Sequence, residues 1–342
     1  MFKKILIANR GDVALRVLRA CKEMGIPTVV VHSTADAESM PVRLADESVC
    51  IGPPAATNSY LNIPNLISAA AVTGCDAVHP GVGFLAENAD FAKIVQAHGL
   101  TFIGPEPEHI QKMGDKVQAK ITAAAGGLPL VPGSPGAVAT LDEAAKLAED
   151  IGYPLLVKAA SGGGGRGMKV AASADDLAEA FSSARSEAKA AFGDDTVYLE
   201  RYLDNPRHIE VQVIADKYGN AVHLGERECS IQRRHQKLFE EAPSPALSEE
   251  ERASIGDIAA KATAQMGYLG VGTMEFLYQD GAFFFIEMNT RLQVEHPITE
   301  AITGVDLVRE QILIASGEKL SFTQEEVQFN GHAIECRINA EH

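Results

Sequence analysis

The sequence predicts a chain of mixed α/β and α+β class in two or three units, and three observations carry that reading. Its 342 residues divide into two or three domains at roughly 100–200 residues each. Over the first hundred residues strand-like and helix-like segments alternate, the pattern of a parallel sheet covered by helices. Beyond residue 204 strand-like segments follow one another across short turns, the pattern of an antiparallel sheet.

Taken in order, KKILIAN is the first strand, since its apolar run is too short for a signal-peptide core. GDVALRVLRACKEMG is an amphipathic helix with apolar residues at 13, 14, 17, 18 and 21. PTVVVHS is a strand followed by Asp36. DESVCIG, CDAVHPG and LTFIG are further strands, separated by helices through IPNLISAAAVTG and ENADFAKIVQAHG. GDKVQAKITAAAGG (114–127) is read as one helix running into LPLVPGSPG, a Pro/Gly-rich hinge. LDEAAKLAEDIG (helix), PLLVKAA (strand), the loop SGGGGRG, MKVAA (strand), ADDLAEAFSSARSEAKAAF (helix) and TVYLERYL make a small α+β unit. The antiparallel part comprises RHIEVQVIAD, AVHLGEREC, a long helix through EEERASIGDIAAKATAQMG, and the hairpin GTMEFLYQ/AFFFIEMN around Asp-Gly. ITEAITGVDLVREQILIASG is helical. HAIECRINAEH is a strand that meets no stop signal, so the last unit is expected to be incomplete. The units are placed at 1–113, 114–130 (a connector), 131–203 and 204–342.

Composition excludes several classes. A net charge of −16 with no basic stripe argues against a nucleic-acid binder. Mean hydropathy is −0.01 and no apolar run approaches the ~20 residues of a membrane span. The five cysteines (21, 50, 75, 229, 336) are scattered without a CxxC pair, which suits a reducing, cytoplasmic setting rather than disulfides or zinc. Positive charge is densest at QRRHQK, 232–237.

Four segments carry candidate chemistry. In SGGGGRG, Gly162, Gly164 and Gly167 satisfy GxGxxG literally, but a strand follows instead of the helix a dinucleotide site needs. The loop is read as a lid whose backbone N–H groups approach an anion, against the plainer reading of a mobile surface loop. Lys158 on the preceding apolar strand favours phosphate. Asp36 could bind a ribose or simply be solvated. In the hairpin, a three-residue turn Gln279–Gly281 would put Glu275 and Glu287 on one face, and a two-residue Asp-Gly turn on opposite faces. The three-residue turn is expected, with Gly281 left-handed. Two carboxylates ~5 Å apart then repel by about 3 kcal/mol at an effective dielectric of ~20, which calls for a cation. With Asn289 as a third oxygen ligand, Mg²⁺ fits.

From Glu287 the polar residues continue in strict alternation through Asn289, Arg291, Gln293 and Glu295, one face of a single strand if the strand persists. Arg291 offers a fork for an oxyanion and Glu295 a general base; a structural Arg–Glu pair is the competing reading. QRRHQK, read as extended, puts His235 and Lys237 on one side and Arg234 on the other, either an anion site or a surface patch. His208 reads as a structural histidine.

IANRGDVALRVLRAC, HPGVGFLAEN, MGDK, KAASGGGGRGM, NPRHIEVQV, RECSIQRRHQK, GVGTMEF, FIEMNTRLQVEHPITE and HAIECRINAE, in that order from residue 1 to the chain end, resemble biotin carboxylase, the ATP-grasp component of biotin-dependent carboxylases. The resemblance implies a pre-ATP-grasp (Rossmann-like) N-terminal domain, an ATP-grasp lid domain bearing the glycine loop, and a C-terminal ATP-grasp domain. It implies ATP- and bicarbonate-dependent carboxylation of biotin through carboxyphosphate, with Mg²⁺ or Mn²⁺. Lys116 and Lys158 would hold the phosphates and Gly164 and Gly165 would cover them. Glu200, Arg201, Tyr202 and Leu203 would form the adenine-side hinge. His208, Gln232 and His235 would border the nucleotide, which overrides the structural reading of His208. Glu275, Glu287 and Asn289 would ligate the metal. Lys237, Arg291, Gln293 and the backbone of Val294 would surround bicarbonate, Glu295 would be the base, and Arg337 would stabilise the biotin enolate.

The implied partners are a biotin carboxyl carrier protein, a carboxyltransferase component and a second copy of the chain, with no nucleic acid and no membrane. Acetyl-CoA carboxylase is the expected setting; propionyl-CoA, methylcrotonyl-CoA and pyruvate carboxylases are the alternatives. The family usually has HPGYGFLSEN where this chain has Val82 and Ala86, in a loop that borders the biotin pocket. There is no AMKM-type attachment sequence, and Met168-Lys169 falls in a predicted strand, so biotin is expected on another chain or region. A different ATP-grasp ligase would not be expected to share RRHQK together with RLQVEHP, and an NAD-dependent oxidoreductase fails on the context of the glycine loop.

Overall fold

The computed structural model describes residues 1–160, 167–234 and 236–338. The first unit contains β1 (Ile5–Ile7), α1 (Gly11–Glu23), β2 (Thr28–Ser33), the short α2 (Met40–Leu44), β3 (Glu47–Gly52), α3 (Ile63–Thr73), β4 (Ala77–His79), α4 (Ala89–Ala97) and β5 (Thr101–Phe102). Its strands form a parallel sheet in the order β3-β2-β1-β4-β5, as the β-α-β alternation predicts. Every residue of β1 is buried because both faces are covered. Ile5 and Ile7 enter a core with α1, whereas Leu6 packs with Leu66 and Phe91 of α3 and α4.

The strand order reverses between β1 and β4, the usual ligand crevice of such sheets. Here it is filled. Asn9 Nδ2 donates to the carbonyls of Pro80 and Val82 at 2.8 Å each, and Gly81 lies so close that a Cβ there would meet Asn9 Nδ2 at 2.7 Å. Asp36 is not left to solvent. It accepts from Arg10 Nε (3.0 Å), Tyr60 Oη (2.7 Å) and Ser33 Oγ (2.8 Å), and its pKa is held down to about 2, chiefly by the Arg10 hydrogen bond.

The helix expected over 114–127 is present, and a further helix that the sequence reading did not assign precedes it. α5 (Pro107–Gly114) ends at Asp115, whose carboxylate caps α6 (Lys116–Ala125) by accepting from the N–H groups of Val117 and Gln118. Lys116 thus opens α6. The small unit follows as α7 (Leu141–Ile151), β6 (Leu155–Ala159), β7 (Met168–Ala171), α8 (Ala174–Phe192) and β8 (Val197–Arg201), with sheet order β7-β6-β8. β6 and β7 are antiparallel, with Lys158 opposite Met168, so the glycine segment joins two strands as predicted. Lys169 lies within β7 and is ion-paired to Glu187 at 2.7 Å.

The last unit has β9 (Arg207–Ala215), β10 (Ala221–Arg233), β11 (Gln236–Ala242), α9 (Glu249–Gln265), β12 (Gly270–Gln279), β13 (Ala282–Asn289), α10 (His296–Thr303), α11 (Leu307–Ala315) and β14 (Ala333–Cys336). Its antiparallel sheet runs β13-β12-β9-β10-β11-β14. The helical segment after 295 is thus two helices, and QRRHQK is not one extended stretch. Arg233 pairs with Gln236 across a tight turn in which Arg234 has φ +52°, and Lys237 stands on the returning strand β11. The first and last units share one core: Ile5, Ile7 and Val17 pack with Ile214 and Val271 of this sheet and with Val308 and Ile312 of α11.

The hairpin departs from the expected register in an instructive way. Gln279 pairs with Ala282, so the turn is the two-residue Asp280-Gly281, with φ of +53° and +79°, the left-handed pair that a tight hairpin favours. Yet Glu275 sits directly opposite Glu287. The register shifts between Phe276–Phe285 and Glu275–Glu287, leaving Ile286 as an extra residue, a β-bulge. On this edge strand the N–H of Phe285 donates outward to the carbonyl of Pro129 at 2.7 Å. The bulge returns Glu287 to the face of Glu275, and the two register changes cancel.

The largest fully buried side chain is Arg227 on β10. Its Nε donates to Glu210 at 2.5 Å and its Nη1 to Gln212 (2.7 Å) and Thr299 (2.9 Å). Removing one partner from a buried ion pair strands the other charge. Arg227→Met should lower unfolding free energy by roughly 3–5 kcal/mol, read from urea midpoints at pH 7; an unchanged midpoint would show that Glu210 does not need this cation.

Candidate active site

Strands β9, β11, β12 and β13, with the segment entering α10, bring a polar centre together around Lys237. The ammonium donates to Glu210 (2.5 Å), Glu295 (2.7 Å) and Glu275 (3.1 Å), one carboxylate for each of its three protons. Glu210 and Glu295 are fully buried and Glu275 nearly so. Burial alone would push the Lys237 pKa down, but Glu210 and Glu275 outweigh it and raise it far above the ordinary value. For Glu275, burial works upward and is overcome by His208 and Lys237, which hold it at about 2. Glu210 is likewise held at about 2 by Arg227 and Lys237 against burial.

The network continues on both sides. His208 Nε2 lies 3.0 Å from Glu275 Oε2, and its Nδ1 faces Gln232 Nε2 at 3.0 Å. His208 and Gln232 are therefore part of the polar centre. On the far side Arg337 donates to Glu295 Oε2 (2.8 Å) and to Glu240 Oε1 (2.6 Å). Glu240 is fully buried and its Oε2 has no hydrogen-bond partner.

The five alternating polar residues do not share one strand. β13 ends at Asn289, and residues 290–295 form an irregular segment and a turn into α10. The side chains still converge. Arg291 Nη2 donates to Asn289 Oδ1 and its Nη1 to Gln293 Oε1, both at 3.1 Å, and Gln293 Nε2 reaches Glu275 Oε1 at 3.3 Å. The pairing of Arg291 with Glu295 does not form; the Arg291 partner is Glu87 at 2.7 Å. Val294 lies in the turn, and Glu295 occupies the N-cap position of α10, the positive end of the helix dipole.

Glu287 differs from its neighbours. Among the described residues no hydrogen bond to its carboxylate is formed, and burial, followed by the facing Glu275, raises its pKa. This carboxylate pair fits a hard cation that keeps some of its own waters. Asn289 Nδ2 donates to Glu275 Oε1 at 2.8 Å, so its oxygen would join such a cation once the amide turns over. The tighter groups of ligand-type atoms, His208–Glu210–Glu275 and Glu210–Cys229–Glu295, lie within 4.8 Å but already surround the Lys237 ammonium.

A cleft of ≈ 400 Å³ opens beside this centre between α6, the 130–136 segment and β8, with Val131, Pro132 and Tyr198 on its walls. It adjoins a narrower pocket lined by Lys116, Lys158, Glu200, Leu277, Ile286 and Glu287. Glu200 is clamped by Lys120 and by Lys158 (2.9 Å). The Lys116 pKa is lowered by burial and then by Lys158, so an arriving anion would be stabilised. Apolar walls leading to lysines and a carboxylate suit a planar base carrying phosphates. The backbones of Arg201 and Tyr202 donate to Pro132 and Pro154, and Leu203 follows. The positions Gly164, Gly165 and His235 lie outside the described residues.

Glu210, Arg227, Glu240, Glu87 and Lys120 were missed in the sequence. Glu210 and Gln212 had a signal, alternating with Ile209, Val211 and Val213 on β9. So did Lys120, one turn from Lys116 on α6.

Comparison with known proteins agrees over the whole chain. Residues 1–110 match the family described as biotin carboxylase, N-terminal domain, and residues 115–323 the family described as carbamoyl-phosphate synthase L chain, ATP binding domain. Biotin carboxylase of Allochromatium vinosum is 60% identical over 343 residues, covering 100% of this chain and 76% of that protein. Among solved structures, biotin carboxylase of Campylobacter jejuni in its "beta-gamma-ATP complex" superposes with a TM-score of 0.92 at 51% identity, over 98% of this chain and 76% of that one. The biotin carboxylase domain dimer of Hydrogenobacter thermophilus 2-oxoglutarate carboxylase, in complex with MgADP, ADP and bicarbonate, gives 0.91 at 50% identity, over 100% and 75%.

One titration is accessible. Glu335, opposite Glu240 on β14, is pushed up to about 7 by burial and by Glu240 and Glu295. A carboxyl raised in the fold gives stability that is complete below its ordinary 4.5 and lost as pH rises through 7. Stability of the parent should therefore fall relative to Glu335→Gln between pH 4.5 and 7. Urea midpoints that stay parallel over that window would show an ordinary carboxyl.

Proposed function

The chain belongs to the biotin carboxylase family, and on that premise we propose that it carboxylates biotin borne on a separate carrier protein, using ATP and bicarbonate. The observation that carries this reading is the pair of cations Lys237 and Arg337 on the buried Glu295, with Arg291 held by Asn289 and Gln293 on the segment that leads to it, beside the facing carboxylates Glu275 and Glu287. Three cations of that kind can hold a small oxyanion next to a carboxylate able to take its proton.

In the proposed reaction Lys116 and Lys158 bind the nucleotide phosphates, and Glu200 to Leu203 border the adenine. Gly164 and Gly165 cover the phosphates; His208, Gln232 and His235 complete the nucleotide side. Lys237, Arg291, Gln293 and the backbone of Val294 hold bicarbonate, and Glu295 accepts its proton. A bicarbonate oxygen then bonds to the γ-phosphorus as the bond to the β-phosphate oxygen breaks, giving ADP and carboxyphosphate. The bond from the carboxyl carbon to the phosphate oxygen of carboxyphosphate breaks, the released phosphate takes the proton of the biotin ureido N–H, and that nitrogen bonds to the carboxyl carbon. Arg337 stabilises the negative charge that biotin develops. A divalent cation, Mg²⁺ or Mn²⁺, held by Glu275, Glu287 and Asn289 would neutralise charge on the transferring phosphoryl group.

Acetyl-CoA carboxylase is the proposed setting, with a biotin carboxyl carrier protein and a carboxyltransferase component as partners and a second copy of this chain as dimer mate. Lys169 supports a separate carrier, because it is ion-paired within a strand. The five thiols are unpaired, which supports a cytoplasmic setting, and no described helix is long and apolar enough to cross a membrane.

ADP release by the full-length protein tests this reading. Bicarbonate and free biotin together should stimulate it; release indifferent to both would contradict it. Glu295→Ala should abolish the bicarbonate-dependent part while leaving MgATP affinity nearly intact, and loss of nucleotide binding in that variant would remove the base assignment.

A further inference from the structure

Glu87 lies in the segment that follows β4, far in sequence from the polar centre, yet it holds two adjacent groups there. Its Oε1 accepts from the backbone N–H of Thr290 at 3.0 Å and its Oε2 from Arg291 Nε at 2.7 Å. The loop that presents it is braced. Asn9 ties down the carbonyls of Pro80 and Val82. Phe84 adopts φ +42°, rare for an aromatic residue, with its ring stacked on Tyr60 at 4.9 Å. Asn88, next to Glu87, caps α4 by accepting from Phe91 N at 2.8 Å.

Arg291 is thus held from two sides. Asn289 and Gln293 take its Nη groups, but both lie only two residues from it in the chain. Among the described residues, only Glu87 fixes its Nε edge from another part of the fold. We propose that Glu87 is a positioning residue: it aims the Arg291 guanidinium at the anion and couples the first unit of the fold to anion binding. The proposal rests on the reading of Arg291 as a bicarbonate ligand.

The chemistry sets the test. A carboxylate offers both donors an acceptor oxygen, whereas glutamine has one oxygen and must turn its NH₂ towards Thr290 N–H or Arg291 Nε–H. The Glu87 side chain is 38% exposed, so the ion pair adds little to stability and orientation can be separated from folding. Rates of ADP release by the full-length protein should be measured against bicarbonate at saturating MgATP, and against MgATP at saturating bicarbonate. For Glu87→Gln the bicarbonate KM should rise roughly tenfold or more, with the MgATP KM and the thermal midpoint nearly unchanged. Glu87→Asp, which keeps both oxygens on a shorter stem, should fall between. The effects of Glu87→Gln and Arg291→Lys should be less than additive when combined. A bicarbonate KM that stays near the parent value in both Glu87 variants, or two KM values that rise together, would overturn the proposal. A parent enzyme with no bicarbonate dependence would instead overturn the reading of Arg291.

Discussion

The structure turns on one ammonium group. Lys237 gives one hydrogen bond to each of Glu210, Glu275 and Glu295, which come from β9, β12 and the entry to α10. Without it, three buried carboxylates would face and repel one another across a few ångströms. Arg227 and Arg337 extend the alternation, so that four buried carboxylates, Glu240 included, share three cations. Such an arrangement costs desolvation and is not the simplest way to hold a sheet together. On the proposed reading it gathers the groups for an incoming anion and cation before either arrives.

Much of this centre was legible, for a definite reason. A polar residue that recurs every second position next to an apolar run has few benign explanations, and that pattern marked Glu287, Asn289, Arg291, Gln293 and Glu295. The assumption that one strand carried all five was wrong. β13 ends at Asn289, and the convergence of the others is produced by the turn into α10. The facing of Glu275 and Glu287 was expected for the wrong cause. The turn has two residues, and Ile286 is an extra residue next to Phe285, whose N–H bonds to Pro129. Pro129 comes from the connector, so no local reading of the hairpin could have found it.

The parallel sheet, the small α+β unit and most of the antiparallel sheet were also legible, since strand-like and helix-like segments follow one another there in a recognisable order. Contacts between distant segments were not. The resemblance placed the HPGVGFLAEN loop beside biotin, but no local pattern ties its Glu87 to Arg291, 204 residues away. β11 was hidden because a charged strand beside a tight turn looks like a basic surface patch. The shared core of the first and last units, through Ile5, Val17, Ile214 and Val308, explains how a loop of one can hold an arginine of the other in register.

The central claim is that Lys237 makes it possible for Glu210 and Glu275 to stay ionised together, and urea unfolding of the parent and Lys237→Met across pH 5–8 tests it directly. In the parent, Glu210 and Glu275 are held at about 2, below their ordinary 4.5, so their stabilisation is complete above 4.5 and lost only as pH falls towards 2. The Lys237 contribution, from a pKa raised above 10.5, is likewise complete throughout the window. In Lys237→Met the carboxylates lose their cation, their folded pKa values rise, and stability must fall as pH rises through them. The account predicts a stability gap that widens from pH 5 to pH 8; a gap that stays constant, or no gap, would contradict it.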